Sequence, residues 1–193
     1  LVHNQEAKQF VLDYPHVKDQ ETSLDIKAEL KGGKVPFFMQ WDGRWGYRNY
    51  GNEMMAIDGC GPTCLSMVAT FLSKNEKMNP YWMAQYSFEN GYYMDGATAW
   101  KLMDEGAQKL GLGVKQLPLE EQRIIDNLVV GNPVICIMGP GKFTSAGHFI
   151  VLAGYKDGKF IVHDPNSRVR SKKMWAYEEF SDQIRNLWVY WAE

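Results

Sequence analysis

Cysteine and histidine are scarce in this chain of 193 residues, with three of the first and four of the second. An odd, low cysteine count excludes a disulfide framework and leaves at least one thiol free. No apolar run approaches the ~20 residues that a membrane-spanning helix needs, so no transmembrane segment is expected. An excess of one charge sign is missing too. Lysine and arginine number 21 against 23 acidic residues, a formal net charge of −2, and no long basic run occurs. Binding to nucleic acid therefore lacks its electrostatic footprint. The basic cluster "RVRSKK" at 168–173 is short and reads as a solvated loop. Internal repeats and low-complexity tracts do not occur either. What the chain does have is 45% hydrophobic residues and 13% aromatics, enough to fill the core of one ordinary domain. It begins with Leu rather than Met. The expectation is a mature or trimmed piece of a longer product, which points toward export.

Residues 1–34 read as a polar extension with a short helix over 4–12, ended by Tyr14-Pro15, and residues 35–193 as the main domain. "VPFFMQ" at 35–40 predicts a strand or extended segment. The Trp-, Tyr- and Gly-rich stretch 41–51 predicts a packed loop. Over 61–72 a helix is expected, with Pro62 in the first turn, where its missing N–H costs nothing. Leu65, Met67, Val68, Ala69, Phe71 and Leu72 make this helix apolar nearly all round, so it belongs in the centre of the domain. Further helices are expected over 97–110, closed by Gly111, and over about 119–130, stopped by Gly131. Then the period changes. Strands are expected over 133–138, 148–155, 159–163 and 187–191, the middle two joined at Lys156-Asp157-Gly158 as a hairpin. Helices first and an antiparallel sheet second describe an α+β domain of two halves.

Chemistry concentrates in "DGCGPTCL" at 58–65. A redox pair is disfavoured, because Cys60 and Cys64 are separated by three residues rather than two and no βαβ pattern precedes them. A zinc clamp would need further ligands at a recognisable spacing, and His148 and His163 do not supply one. The remaining reading separates the thiols. Cys60 sits at a helix N-terminus, where unpaired N–H groups and the dipole favour a thiolate. Cys64, one turn inside an apolar helix, and Cys136, within "PVICIM", read as small core hydrophobes. The bland alternative is that Cys60 is an inert cap residue.

A thiolate nucleophile needs a base, and the base an orienting group. His3 and His16 lie in the polar extension, and His163 lies inside a strand. His148 opens the strand "HFIVLAGY", where a loop delivers its side chain to the end of a sheet. A three-residue loop with Gly158 left-handed would pair Tyr155 with Lys159 and put Asp164 opposite Ile150, diagonal to His148. A two-residue Asp-Gly turn would bring His163 to the face of His148 instead. The catalytic reading therefore expects the three-residue loop.

"VPFFMQWDGRWG", "GCGPTCLSMV", "GHFIVLAGYKDGKFIVHDPNS" and "IRNLWVYW" together resemble the C39-like cysteine peptidases, a branch of the papain-like fold. The resemblance runs from about Val35 to the C-terminus. "MGPGKFTSAGHF" and "EGAQKLGLGV" are similar to bacterial, often exported members, which implies an extracellular or cell-surface address. The resemblance puts the nucleophile on Cys60, the general base on His148, the orienting carboxylate on Asp164 and the oxyanion-hole glutamine on Gln40. It implies a cysteine peptidase or amidase acting on peptide or isopeptide bonds, with a peptide or protein partner and no metal or organic cofactor. Trp41, Trp45 and the loop 139–141 are candidates for the cleft wall. The alternative is a surface- or peptide-binding module on the same fold with negligible hydrolysis. Transfer to an amine acceptor would use the same residues.

Overall fold

The computed structural model describes residues 4–193 and mixes helices with antiparallel sheet. His3 of the extension lies outside the described residues. Two small hairpins come first, β1 (Asn49–Tyr50) with β2 (Glu53–Met54) and β3 (Tyr93–Met94) with β4 (Ala97–Thr98). The main sheet is built from β5 (Leu112–Gln116), β6 (Val134–Met138), β7 (His148–Lys156), β8 (Lys159–His163), β9 (Met174–Trp175) and β10 (Ile184–Ala192). Its strands run antiparallel in the order β5-β10-β6-β7-β8-β9. The helices are α1 (Lys8–Val17), α2 (Lys27–Leu30), α3 (Met55–Asp58), α4 (Cys60–Ser73), α5 (Pro80–Glu89), α6 (Glu105–Lys109), α7 (Glu121–Val129) and α8 (Arg168–Lys172).

Helix α4 lies in the centre because it has no polar face to offer water, and residues 61–70 are all buried. Its Cys64, Leu65, Met67 and Val68 pack against Ile135, Ile137, Phe149, Val151 and Trp188 of the sheet. The alternate positions Cys136, Ile150, Leu152, Phe160 and Val162 face the other way and form a second core with Ile124 and Leu128 of α7. A sheet covered on both faces explains why β6, "VICIM", is buried at every residue.

Several expectations need correction. Helix α1 runs on through Tyr14-Pro15, with Pro15 inside it. It is a surface helix with Val11, Leu12 and Tyr14 exposed, so the carbonyl that Pro15 leaves unpaired can reach water. Of the two forms expected for "VPFFMQ", strand or extended segment, the second holds, since it joins no sheet. The single helix expected over 97–110 is instead strand β4, a 3₁₀ turn (Trp100–Leu102) and α6. Asp95 and Gly96, both at positive φ, close the β3–β4 turn just ahead of it. "RVRSKK" is not a free loop, since most of it forms α8.

The hairpin joining β7 to β8 is also not the expected three-residue loop. Asp157 and Gly158 both adopt left-handed backbone, φ 52° and 75°, and Lys156 pairs with Lys159 across a two-residue turn. The twist of such a turn matches that of the strands, which is why Asp-Gly favours it. Left alone, this register would have turned His163 toward the face of His148. A bulge between Leu152 and Gly154 absorbs one residue, and beyond it Leu152 pairs with Val162 and Val151 with His163. Continued by one step, that register sets Asp164 opposite Ile150.

Candidate active site

Cys60 is the first residue of α4, preceded by the cap Gly59. First-turn N–H groups have no partner within the helix, so the backbone N–H of Cys60 is a donor at the sulfur's own position. Both flanking glycines are fixed by space. A Cβ on Gly59 would come within 2.3 Å of the Met55 carbonyl oxygen, and one on Gly61 within 2.6 Å of Thr98 Cγ2. All three cysteines are free, and Cys60 alone is partly exposed. Burial, followed by the charges of Cys60, Asp164 and Cys136, pushes the Cys64 thiol well up, and burial does the same to Cys136.

His148 opens β7 and is 6% exposed. Its Nε2 lies 2.7 Å from Asp164 Oδ1. Nδ1 is then the ring nitrogen left for the thiol, and Cys60 and His148 line the same cleft. Burial would lower the His148 pKa, but Asp164 and Cys60 outweigh it and raise it to about 10. The imidazole is therefore protonated at neutral pH.

Asp164, the residue after β8, is fully buried. Oδ1 also accepts the backbone N–H of Asn166 (2.8 Å), and Oδ2 accepts Arg170 Nε. Burial pushes its carboxyl up, yet His148 and Arg170 together hold it below the usual carboxylate range. His163 is in a different situation. Its Nδ1 meets the Pro36 carbonyl at 3.1 Å, its ring packs on Phe37, and burial drives its pKa down to about 4.

Gln40 is 2% exposed. Its Nε2 donates to the carbonyls of Ala56 (3.0 Å) and Ile57 (3.1 Å), and its backbone N–H to the Pro165 carbonyl (2.8 Å). The residue thus ties the approach to Cys60 to the residue after Asp164. Its buried Oε1 has no partner among the described residues.

A cleft of about 370 Å³ opens on Cys60 and His148, walled by Ile57, Asp58, Thr98, Trp100, Ile137 and Phe149. Ile57 and Trp100 are 45% and 47% exposed, which is high for residues of this size. The expected wall residues lie elsewhere. Trp45 is fully buried and donates to the Met39 carbonyl, Trp41 packs under Arg168, and residues 139–142 are held by Gln183. The Asp95-Gly96 turn signal was the available pointer to Trp100, because a hairpin turn there makes the residues just after it a strand rather than the start of a helix. Among the described residues no group of three His, Cys, Asp or Glu side chains is arranged to hold a metal, and no helix is long and apolar enough to cross a membrane.

The sequence profile of the Peptidase_C39 like family matches residues 33–192. The chain belongs to that family. Solved C39 domains share its fold. The peptidase domain of Streptococcus ComA, a bifunctional ABC transporter of a quorum-sensing pathway, is 22% identical with a TM-score of 0.53, over 70% of this chain and 92% of that one. A putative C39-like peptidase from Bacillus anthracis is 15% identical with a TM-score of 0.55, over 84% and 96%. A double glycine motif protease of an AMS/PCAT transporter, solved with its leader peptide, is 21% identical with a TM-score of 0.52, over 85% and 97%. Among curated proteins there is no match. The papain-like α+β class expected from the sequence is the class of these C39 domains.

Proposed function

We propose that this C39 family member is a cysteine peptidase that hydrolyses peptide or isopeptide bonds through Cys60, His148 and Asp164. The observation that supports the reading is the His148 ring, held by Asp164 at Nε2 and lining one cleft with Cys60. The Cys60 thiolate attacks the scissile carbonyl carbon. His148 gives its Nδ1 proton to the leaving amine, then takes one from the water that opens the thioester, and Asp164 keeps the ring in place throughout. The backbone N–H of Cys60 stabilises the oxyanion. Gln40 serves it too by releasing one of its two carbonyls when substrate arrives.

Incubation with a mixed peptide library tests this directly. Wild type is expected to cleave with a sequence preference that Cys60→Ala lacks. In parallel, iodoacetamide near neutral pH should modify Cys60 selectively and fast, and His148→Ala should slow it. Labelling no faster than that of a free thiol would sink the activated nucleophile and leave a binding module.

A further inference from the structure

Residues 4–10 lie ahead of the family match, yet they reach the candidate site. Glu6 Oε1 accepts the Ser167 hydroxyl at 2.5 Å, and Oε2 accepts the backbone N–H of Arg168 (2.7 Å) and Val169 (3.2 Å). Asn4 Nδ2 donates to the carbonyl and side-chain oxygens of Asn166, both at 3.0 Å. Arg168 and Val169 open α8, Ser167 is its cap, and Asn166 is the residue before the cap. Phe10, stacked on Tyr47 with ring centroids 3.9 Å apart, anchors the segment beside Met39, Trp41 and Ala56.

Helix α8 has five residues, too few to hold itself together, and its first N–H groups have no partner within it. Glu6 satisfies two of them, and Ser167 Oγ accepts the N–H of Arg170. On the far side of the turn, Arg170 Nε meets Asp164 Oδ2, and Ser171 Oγ accepts the Asp164 backbone N–H. Asp164 in turn holds His148. One continuous path of hydrogen bonds thus leads from the N-terminal segment to the imidazole.

We propose that Glu6 is a positioning residue for the reaction: by capping α8 it holds Arg170 on Asp164 and so fixes the orientation of His148. The proposal rests on the Cys60–His148–Asp164 reading.

A double-mutant cycle tests it, using the whole chain with Glu6→Gln, Arg170→Gln and the pair, each checked by melting. Glu6→Gln keeps the side chain's size and removes the charge. It is expected to lower kcat about tenfold while KM stays within about twofold. In the Arg170→Gln background the same change should add little, because residues acting through one another are not additive. Arg170→Lys, which keeps the cation, should recover part of the loss. Equal cost of Glu6→Gln in both backgrounds, or no cost at all, overturns the proposal.

The His148 Nε2–H resonance gives a readout independent of turnover. Its shift should move in Glu6→Gln and Arg170→Gln alike, and an unmoved signal in Glu6→Gln overturns the proposal even where kcat has fallen. Absence of cleavage and of selective Cys60 labelling in wild type is a different outcome, which removes the peptidase reading and with it any positioning role in it.

Discussion

Asp164 meets three donors from three different directions: His148 Nε2, the Asn166 N–H and Arg170 Nε. A neutral amide cannot serve all three, and it weakens the hydrogen bond and removes the charge by which Asp164 raises the His148 pKa. Asp164→Asn is therefore expected to cut kcat by about 10²–10⁴. It should also change the pH profile. In the proposed mechanism the imidazolium is the acid for the leaving amine, so activity should fall as pH rises through the His148 pKa. With Asp164 gone that pKa drops, and the alkaline limb of kcat/KM should move to lower pH. An unmoved limb would remove Asp164 from the mechanism. Gln40 is separable by chemistry, since alkylation of a thiol builds no oxyanion. Gln40→Ala should lower kcat by about 10²–10³ while Cys60 alkylation holds its rate. If both rates fell together, the glutamine would be a brace between residues 56–57 and 165 and nothing more. Cys60 was legible in the sequence because a helix N-terminus between two glycines is a local pattern. Arg170 was not, because a basic residue in "RVRSKK" looks solvated until the fold brings Asp164 beneath it.

At the scale of elements, α4 and the four main strands could be read because each carries an unmixed hydrophobic period. The β7–β8 hairpin shows where such reading stops. Its turn follows local Asp-Gly chemistry, whereas its functional end follows the bulge near Ala153, which no local residue announces. Helix α5 had a visible start in Asn79-Pro80, where Asn79 Oδ1 accepts the Trp82 N–H, but its apolar face is too weakly defined to stand out. Two glycines test the difference between local and tertiary constraint. At Gly158 a Cβ meets nothing within 4 Å, but φ is 75°. Gly158→Ala should cost about 1–2 kcal/mol and leave Cys60 alkylation unchanged. At Gly61 the Cβ would collide with Thr98. Gly61→Ala should cost about 1–3 kcal/mol and also slow alkylation, because relief of the clash moves the first turn of α4. Denaturant melts paired with labelling rates check both.

Across the whole molecule, two imidazoles of one hairpin are driven in opposite directions, and folding stability should record both. His148 is raised to about 10 by Asp164 and Cys60, against the effect of its burial. Its folded form keeps a proton that the unfolded chain, with an ordinary histidine near 6.5, has lost. That contribution is complete below pH 6.5 and disappears as pH climbs from there toward 10. His163 is lowered to about 4 by burial. Between 6.5 and 4 the unfolded chain takes up a proton that the folded one refuses, so stability falls as pH falls through that window. Each proton contributes a slope of at most about 1.4 kcal/mol per pH unit. The two slopes face each other across pH 6.5, which sets the expected maximum in melting temperature near that pH. His163→Asn, which can still donate toward the Pro36 carbonyl, should flatten the acid side alone. His148→Gln should flatten the alkaline side, in the same variant that loses fast Cys60 alkylation, and by freeing the buried Asp164 carboxyl to rise it should alter the acid side without flattening it. A melting profile with its maximum well away from pH 6.5, or one in which both variants flatten the same side, would contradict this assignment of the two rings.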